Sequence, residues 1–165
     1  MKSEVLIAYC TRSGSTAEVA QSIGKAMKEA GLAVQVKSIA EVESIPAGTA
    51  VVLGTALYIG HFPKEFHQFA TRLEAELAKV RPWIFVLGPT EKERKHFAAA
   101  EEQARKELGK HPSLRPADMR ILGVLECGGA RPRTPGKQER RRPAGRRREA
   151  IGTVVVSNRF DWHQV

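Results

Sequence analysis

Six consecutive residues carry the clearest chemical signal in this 165-residue chain: Thr11-Arg12-Ser13-Gly14-Ser15-Thr16. They follow a short apolar run, Glu4 to Cys10, and lead into apolar side chains that recur at helical spacing. A turn in that place gathers free backbone N–H groups and the positive end of a helix dipole, and its four hydroxyls add donors for an anion's oxygens. Such a site suits a dianionic phosphate. The loop lacks the lysine that follows glycine in a nucleotide P-loop and the three-glycine spacing of a dinucleotide fingerprint. ATP and NAD are therefore disfavoured, and a terminal monophosphate is favoured. An ordinary hydroxyl-capped helix start uses the same residue types, so the surrounding architecture has to separate the two readings.

Two further stretches can join this loop. Gly54-Thr55-Ala56-Leu57-Tyr58-Ile59-Gly60 sets an aromatic between glycines, and Leu87-Gly88-Pro89-Thr90 closes another apolar run. A flat ring with a polar rim is bound well by an aromatic face, which makes Tyr58 a stacking candidate. His61 next to it is a candidate acid or base at the mouth of the same site, or a solvated loop histidine. Cys10 and Cys127 are too few for a disulfide framework and lack the companions of a metal site. The ends of the first and third apolar runs hold Cys10-Thr11 and Gly54-Thr55 rather than aspartates, which argues against a metal-dependent phosphoacceptor.

The elements that would position these loops are legible as alternating strands and helices. Glu4 to Cys10 is uninterrupted apolar, as expected of a strand buried on both faces of a parallel sheet. Val19, Ala20, Ile23, Met27 and Ala30 then mark a helix that Gly31 stops, and Leu32, Val34 and Val36 alternate with wetter neighbours as in an edge strand. A third strand is expected at Thr49 to Gly54, followed by one helix from Phe62 to Leu77 opened by Pro63. Pro82 to Gly88 reads as the fourth strand, with Trp83 in its core rather than at the ligand edge. Phe97, Ala100, Ala104 and Leu108 give a charged helix ending at Gly109, and Met119 to Leu125 is the fifth strand. The alternation implies right-handed crossovers and a doubly wound α/β fold.

The stretch from Ile7 through Thr11, Ser13, Ser15 and Thr16 to Ile23 resembles the flavodoxin signature, with Ala8 standing where a larger apolar residue is usual. The resemblance implies a five-stranded parallel sheet of order 2-1-3-4-5 with FMN at the switch between the first and third strands. It further implies that Thr11, Ser13, Ser15 and Thr16, with the amides of Arg12 and Gly14, hold the FMN phosphate. Thr55, Ala56, Leu57, Tyr58 and Gly60 would then flank the ring on one side and Gly88, Pro89 and Thr90 on the other. The run from Tyr58 through Gly60-His61-Phe62-Pro63-Lys64-Glu65-Phe66 to Arg81-Pro82-Trp83 looks like the flavodoxin-domain group that includes menaquinone-dependent protoporphyrinogen dehydrogenase. Electron transfer, or FMN-dependent oxidoreduction of a quinone-linked or porphyrinogen-type substrate, is the function this implies; donor and acceptor stay open.

Composition sets the remaining bounds. One domain is expected at this length, no apolar run approaches the roughly 20 residues of a membrane span, and the start shows no signal-peptide pattern, which suggests the cytoplasm. The net charge of +9 is concentrated: residues 131–149 hold nine of the 27 basic and two of the 18 acidic side chains, which is +7 of the total. Residues 1–129 therefore read as the flavodoxin-like domain and 130–165 as an atypical Arg/Pro-rich tail. The tail lacks the apolar face of the final helix expected after the fifth strand. It is either a disordered basic arm or the product of a shifted reading frame. An arm of this kind suits nucleic acid or an anionic surface, and a non-redox scaffold carrying it is the alternative function.

Overall fold

The computed structural model describes residues 4–88 and 94–123. Strand β1 is Glu4–Tyr9, with Val5 and Ile7 buried on one face and Leu6 and Ala8 on the other, as a central parallel strand requires. Helix α1, Ser15–Glu29, buries Thr16, Val19, Ala20, Gly24 and Met27. It ends as a Schellman motif: Gly31 takes φ +90°, its N–H bonds the carbonyl of Lys28, and Leu32 N–H bonds that of Met27. Strand β2, Ala33–Ser38, alternates buried Val34 with exposed Ala33, Gln35 and Lys37 and lies at the sheet edge.

A short 3-10 turn, Ile39–Glu41, follows, closed by a capping box between Ser38 and Glu41. Strand β3 is Ala50–Ala56, starting one residue later than its apolar pattern predicts and ending two residues later, because Thr55 and Ala56 pair with Val86 and Leu87 of β4, Trp83–Leu87. The helix expected from Phe62 to Leu77 is two: α2, Lys64–Arg72, and α3, Glu74–Leu77. The chain leaves helical geometry at Leu73 (φ −106°, ψ 25°) while Leu73 and Leu77 stay buried, so their spacing encodes burial rather than helix continuity. Helix α4 is Arg94–Leu108 and strand β5 is Asp118–Leu122; Val124 and Leu125, the expected end of that strand, lie outside the described residues.

The sheet order is β2-β1-β3-β4-β5, parallel throughout. One apolar cluster joins α1 to Val5, Ile7, Val52, Phe85 and Leu87. The other joins α2 and α4 to Leu6, Leu53, Ile84 and Val86 through Phe66, Phe69, Ala104 and Leu108. Arg72 adds a polar tie, donating to the carbonyls of Ile39 and Val42. Trp83 is half-buried against the α1-side cluster, far from the loops in question, as expected. The basic tail and Cys127 lie outside the described residues.

Candidate functional site

Each of the three loops leaves the sheet through a hydrogen bond to the neighbouring strand. Cys10 N–H donates to Gly54 (2.8 Å), Leu57 N–H to Leu87 (3.0 Å), and Gly88 N–H to Leu122 (2.8 Å). In a parallel sheet the carboxyl ends of all strands share one edge, so the three loops start from the same edge, the one that contains the β1/β3 switch point. Gly88 is required by fit, since a Cβ there would lie 2.6 Å from Ile121 Cγ2. Pro89 and Thr90 lie outside the described residues. A groove of about 400 Å³ elsewhere, bordered by Glu4, Gln35, Lys37, Val42 and Pro46 beside edge strand β2, includes no residue of the three loops.

In the first loop Gly14, at φ +94°, is the N-cap of α1, and no side chain caps the helix. This decides against the ordinary hydroxyl-capped helix start, in which Ser or Thr would fill the first-turn amides. Thr11 Oγ1 accepts instead from Gly14 N–H at 2.9 Å, folding the loop back on itself. Ser13 is exposed, Ser15 half-buried and Thr16 1% exposed. The loop meets the second one directly: Arg12 N–H donates to the Tyr58 hydroxyl (3.3 Å), and the Arg12 guanidinium lies 5.1 Å from the Tyr58 ring centroid. An ion pair with Glu65 at 4.0 Å, both side chains more than half exposed, steadies the Arg12 head weakly.

The second loop is a two-residue hairpin. Tyr58 and His61 exchange both backbone hydrogen bonds, at 2.8 and 3.1 Å, around Ile59 (φ +51°) and Gly60 (φ +80°). Positive φ at both central positions is the signature of a type I′ turn, natural for Gly60 and strained for a β-branched residue. Ile59 is 99% exposed and gains no burial in exchange. Thr55 and Ala56 are the buried end of β3 rather than loop, and the Thr55 hydroxyl has no hydrogen-bond partner among the described residues. Leu57 is half-buried against the α2-side cluster.

In sequence, residues 6–125 match the flavodoxin domain family. The chain belongs to the flavodoxin domain family. No curated protein matches it in sequence. Among solved structures it is similar to oxidised flavodoxin 1 from Bacillus cereus, with a TM-score of 0.54 and 16% identity over 74% of this chain and 86% of that one. A cysteine mutant of flavodoxin from Pseudomonas aeruginosa gives 0.52 and 22% over 73% and 83%. Rubredoxin oxygen:oxidoreductase from Desulfovibrio gigas gives 0.51 and 14% over 76% of this chain and 31% of that one. At these identities the likeness is one of fold. The family binds FMN and serves electron transfer, and that is the class of this flavodoxin domain.

The residues present fit that cofactor. The uncapped α1 start, the hydroxyls of Ser13, Ser15 and Thr16, and the open space around Gly14 leave donors for a phosphate. Two donors expected to serve it are already engaged, for Arg12 N–H bonds Tyr58 and Gly14 N–H bonds Thr11. Cys10, adjacent to the loop, is a packing residue: its burial, reinforced by Glu65, pushes the thiol up to about 11 despite nearby Arg12. Among the described residues no group of His, Cys, Asp and Glu side chains can hold a metal, and no helix is long and apolar enough to cross a membrane.

The sequence reading missed Glu107 of α4. It is 3% exposed and the one buried charged residue among those described. Its Oε1 accepts from Lys110 Nζ (2.5 Å) and lies 3.1 Å from His61 Nδ1; its Oε2 accepts from Phe62 N–H (3.1 Å) and lies 2.9 Å from His67 Nε2. The available signal was its place on the stripe of Ala100, Ala104 and Leu108, where a carboxylate has to be partnered. Burial pushes its carboxyl up, but the bonds from Lys110, His61, the Phe62 amide and His67 outweigh this and hold it at about 2.

Because that value lies below the ordinary 4.5, the bonded carboxylate adds stability that is fully present above pH 4.5 and is lost as pH falls towards 2. With screening at the exposed Lys110 and His61 side, the expected loss is on the order of 1 to 2 kcal/mol. Urea midpoints at pH 6, 4 and 3 should show this slope in the parent and a flatter one in Glu107→Gln; equal slopes would remove Glu107 as its source.

Proposed function

We propose that this domain binds FMN with its phosphate on the Thr11–Thr16 loop and its ring between the Tyr58 hairpin and the Gly88–Thr90 loop. It then passes electrons from a donor, of porphyrinogen type, to an acceptor, of quinone type. The observation that carries the binding reading is the start of α1: a left-handed glycine with no side-chain cap, beside three hydroxyls at the β1/β3 switch. Helix dipole and hydroxyls favour a dianion there, and a following adenosine has no second phosphate loop to meet, which favours FMN over FAD. When bound, the cofactor supplies the redox chemistry, while the protein sets its position and surroundings.

The side chains have separable tasks. Ser13, Ser15 and Thr16 donate to the phosphate, and Arg12 adds charge beside it. Tyr58 offers its face to the ring once the guanidinium now lying over it moves aside, a displacement resisted only by an exposed cation–π contact and a weak ion pair. The substrate class rests on the run from Tyr58 to Phe66 and on Arg81-Pro82-Trp83, which resembles the protoporphyrinogen dehydrogenase group.

Adding FMN, FAD or riboflavin to the full chain, followed by gel filtration and visible absorption, tests the binding reading. FMN should be retained most strongly and FAD less. A folded protein that retains no FMN above the level of a carrier protein without such a loop would overturn it. Reduced FMN protein should then be reoxidised by a soluble quinone; failure with quinones alone would remove the substrate assignment and leave the cofactor in place.

A further inference from the structure

Glu107 is costly to bury, since a carboxylate taken from water loses its hydration and is tolerated only where donors to its oxygens offset that loss. An apolar side chain on the same stripe of α4 would serve the core without that cost. What the carboxylate does instead is join separate parts of the chain. Lys110 comes from the turn after α4 and His67 from α2, while His61 and the Phe62 amide belong to the end of the Tyr58 hairpin. His67 Nδ1 is in turn 2.8 Å from His111 Nε2, so α2 and the α4 turn are joined a second time.

The hairpin needs such an anchor. Ile59 at its tip holds a left-handed conformation that a β-branched side chain resists, and, fully exposed, it gains no burial in return. Strain of this kind persists where the surroundings over-determine the backbone. Glu107 of α4 does so here, taking His61 and the Phe62 amide just beyond the turn; Gly60, at φ +80°, adds the turn position where a Cβ would come within 3.1 to 3.3 Å of the Gln103 side chain. Glu107 thus grips the segment that carries Tyr58.

We propose that Glu107 is a positioning residue that clamps the Tyr58–His61 hairpin onto α4 and thereby fixes where Tyr58 meets the flavin ring. This rests on the FMN reading above. The phosphate loop opens α1 across the sheet, makes no hydrogen bond to Glu107, and meets the clamped hairpin through Arg12, whose N–H and guanidinium rest on Tyr58. Loosening the clamp should therefore weaken ring binding more than phosphate binding, the reverse of a change in the hydroxyl loop.

The test compares the parent full chain with Glu107→Gln and His61→Ala. Glutamine keeps the shape but turns an NH2 group towards donors the carboxylate accepted, and His61, whose side chain is 72% exposed, can be removed without opening the core. Kd values for FMN and riboflavin are taken by flavin fluorescence, inorganic phosphate is titrated as a competitor of FMN, and visible circular dichroism is recorded at saturating FMN. Glu107→Gln should weaken both flavins about tenfold, the effect of one lost charge-assisted bond. Phosphate affinity should fall far less than flavin affinity, and the dichroism of the bound ring should alter. His61→Ala should show the same pattern at smaller size, and it carries the test alone if Glu107→Gln does not fold. Parent-like dichroism and parent-like flavin affinity in the folded variants would overturn the clamp, as would a parallel loss of phosphate binding. If the parent binds phosphate but neither flavin, the FMN reading fails first and the clamp falls with it.

Discussion

Replacing Thr16 or Ser13 by alanine should weaken FMN by about 1 to 3 kcal/mol, the cost of removing one donor from a charged phosphate. Riboflavin, which lacks the phosphate, should respond far less. The two positions give complementary controls. Ser13 is exposed, so its replacement has no folding consequence, and Thr16 is buried in the first turn of α1 but provides no helix cap. A double substitution should bring FMN nearer to the affinity of riboflavin, with Ser15, Arg12 and the helix start supplying the phosphate binding that remains. Kd measurements for the two flavins decide it: equal losses for FMN and riboflavin would mean that the phosphate lies elsewhere.

Gly54→Ala should destabilise the domain by about 1 to 3 kcal/mol or prevent folding, the range for overfilling a packed core. A Cβ there would stand 2.2 Å from Phe85 Cζ and under 3 Å from two more ring atoms. Turning the ring about its own axis does not help, since Cζ lies on that axis. Moving it through χ1 drives it into the α1-side cluster, where Phe85 is 3% exposed. Leucine at position 85 lacks the outer ring atoms, so Gly54→Ala with Phe85→Leu should be more stable than additivity of the two single changes allows. Urea midpoints of the four proteins measure this coupling, and strict additivity would show that ring and glycine do not meet. The change also reaches the proposed site, because Gly54 accepts the hydrogen bond from Cys10 at the base of the Thr11–Thr16 loop.

Much of the site was legible because its signals are local. A buried strand followed by hydroxyls, Gly14 and a 3.6-residue period can be read within twenty consecutive residues, and the structure keeps that order from β1 to α1. Gly31 likewise announced the end of α1, where its positive φ is used. The strand order came from the flavodoxin resemblance, since apolar runs show that parallel strands exist and not which are neighbours. Pro89, Thr90 and the basic tail remain readings of sequence, lying outside the described residues.

What the tertiary structure decided are the features in which two distant residues share one space or one hydrogen bond. Arg12 and Tyr58 are 46 residues apart, and their contact places two candidate site residues together while engaging an amide expected to face the phosphate. Thr55 and Ala56 look like the start of a loop until β4 supplies partners that extend the strand. Gly54 has no local reason to be glycine, for its φ is ordinary and the demand comes from the Phe85 ring. Glu107 sits on an apolar stripe that the sequence displays, but its four partners come from α2, the Tyr58 hairpin and the following turn. Sequence by itself determined the alternating elements, the hydroxyl-rich turn between β1 and α1 and the excess of charge in the tail, because periodicity, turn chemistry and composition act between near neighbours. Tertiary structure decided which donors remain free, which glycine is irreplaceable and how a buried carboxylate holds the hairpin, because burial and hydrogen-bond completion are set by residues that meet only when the sheet closes.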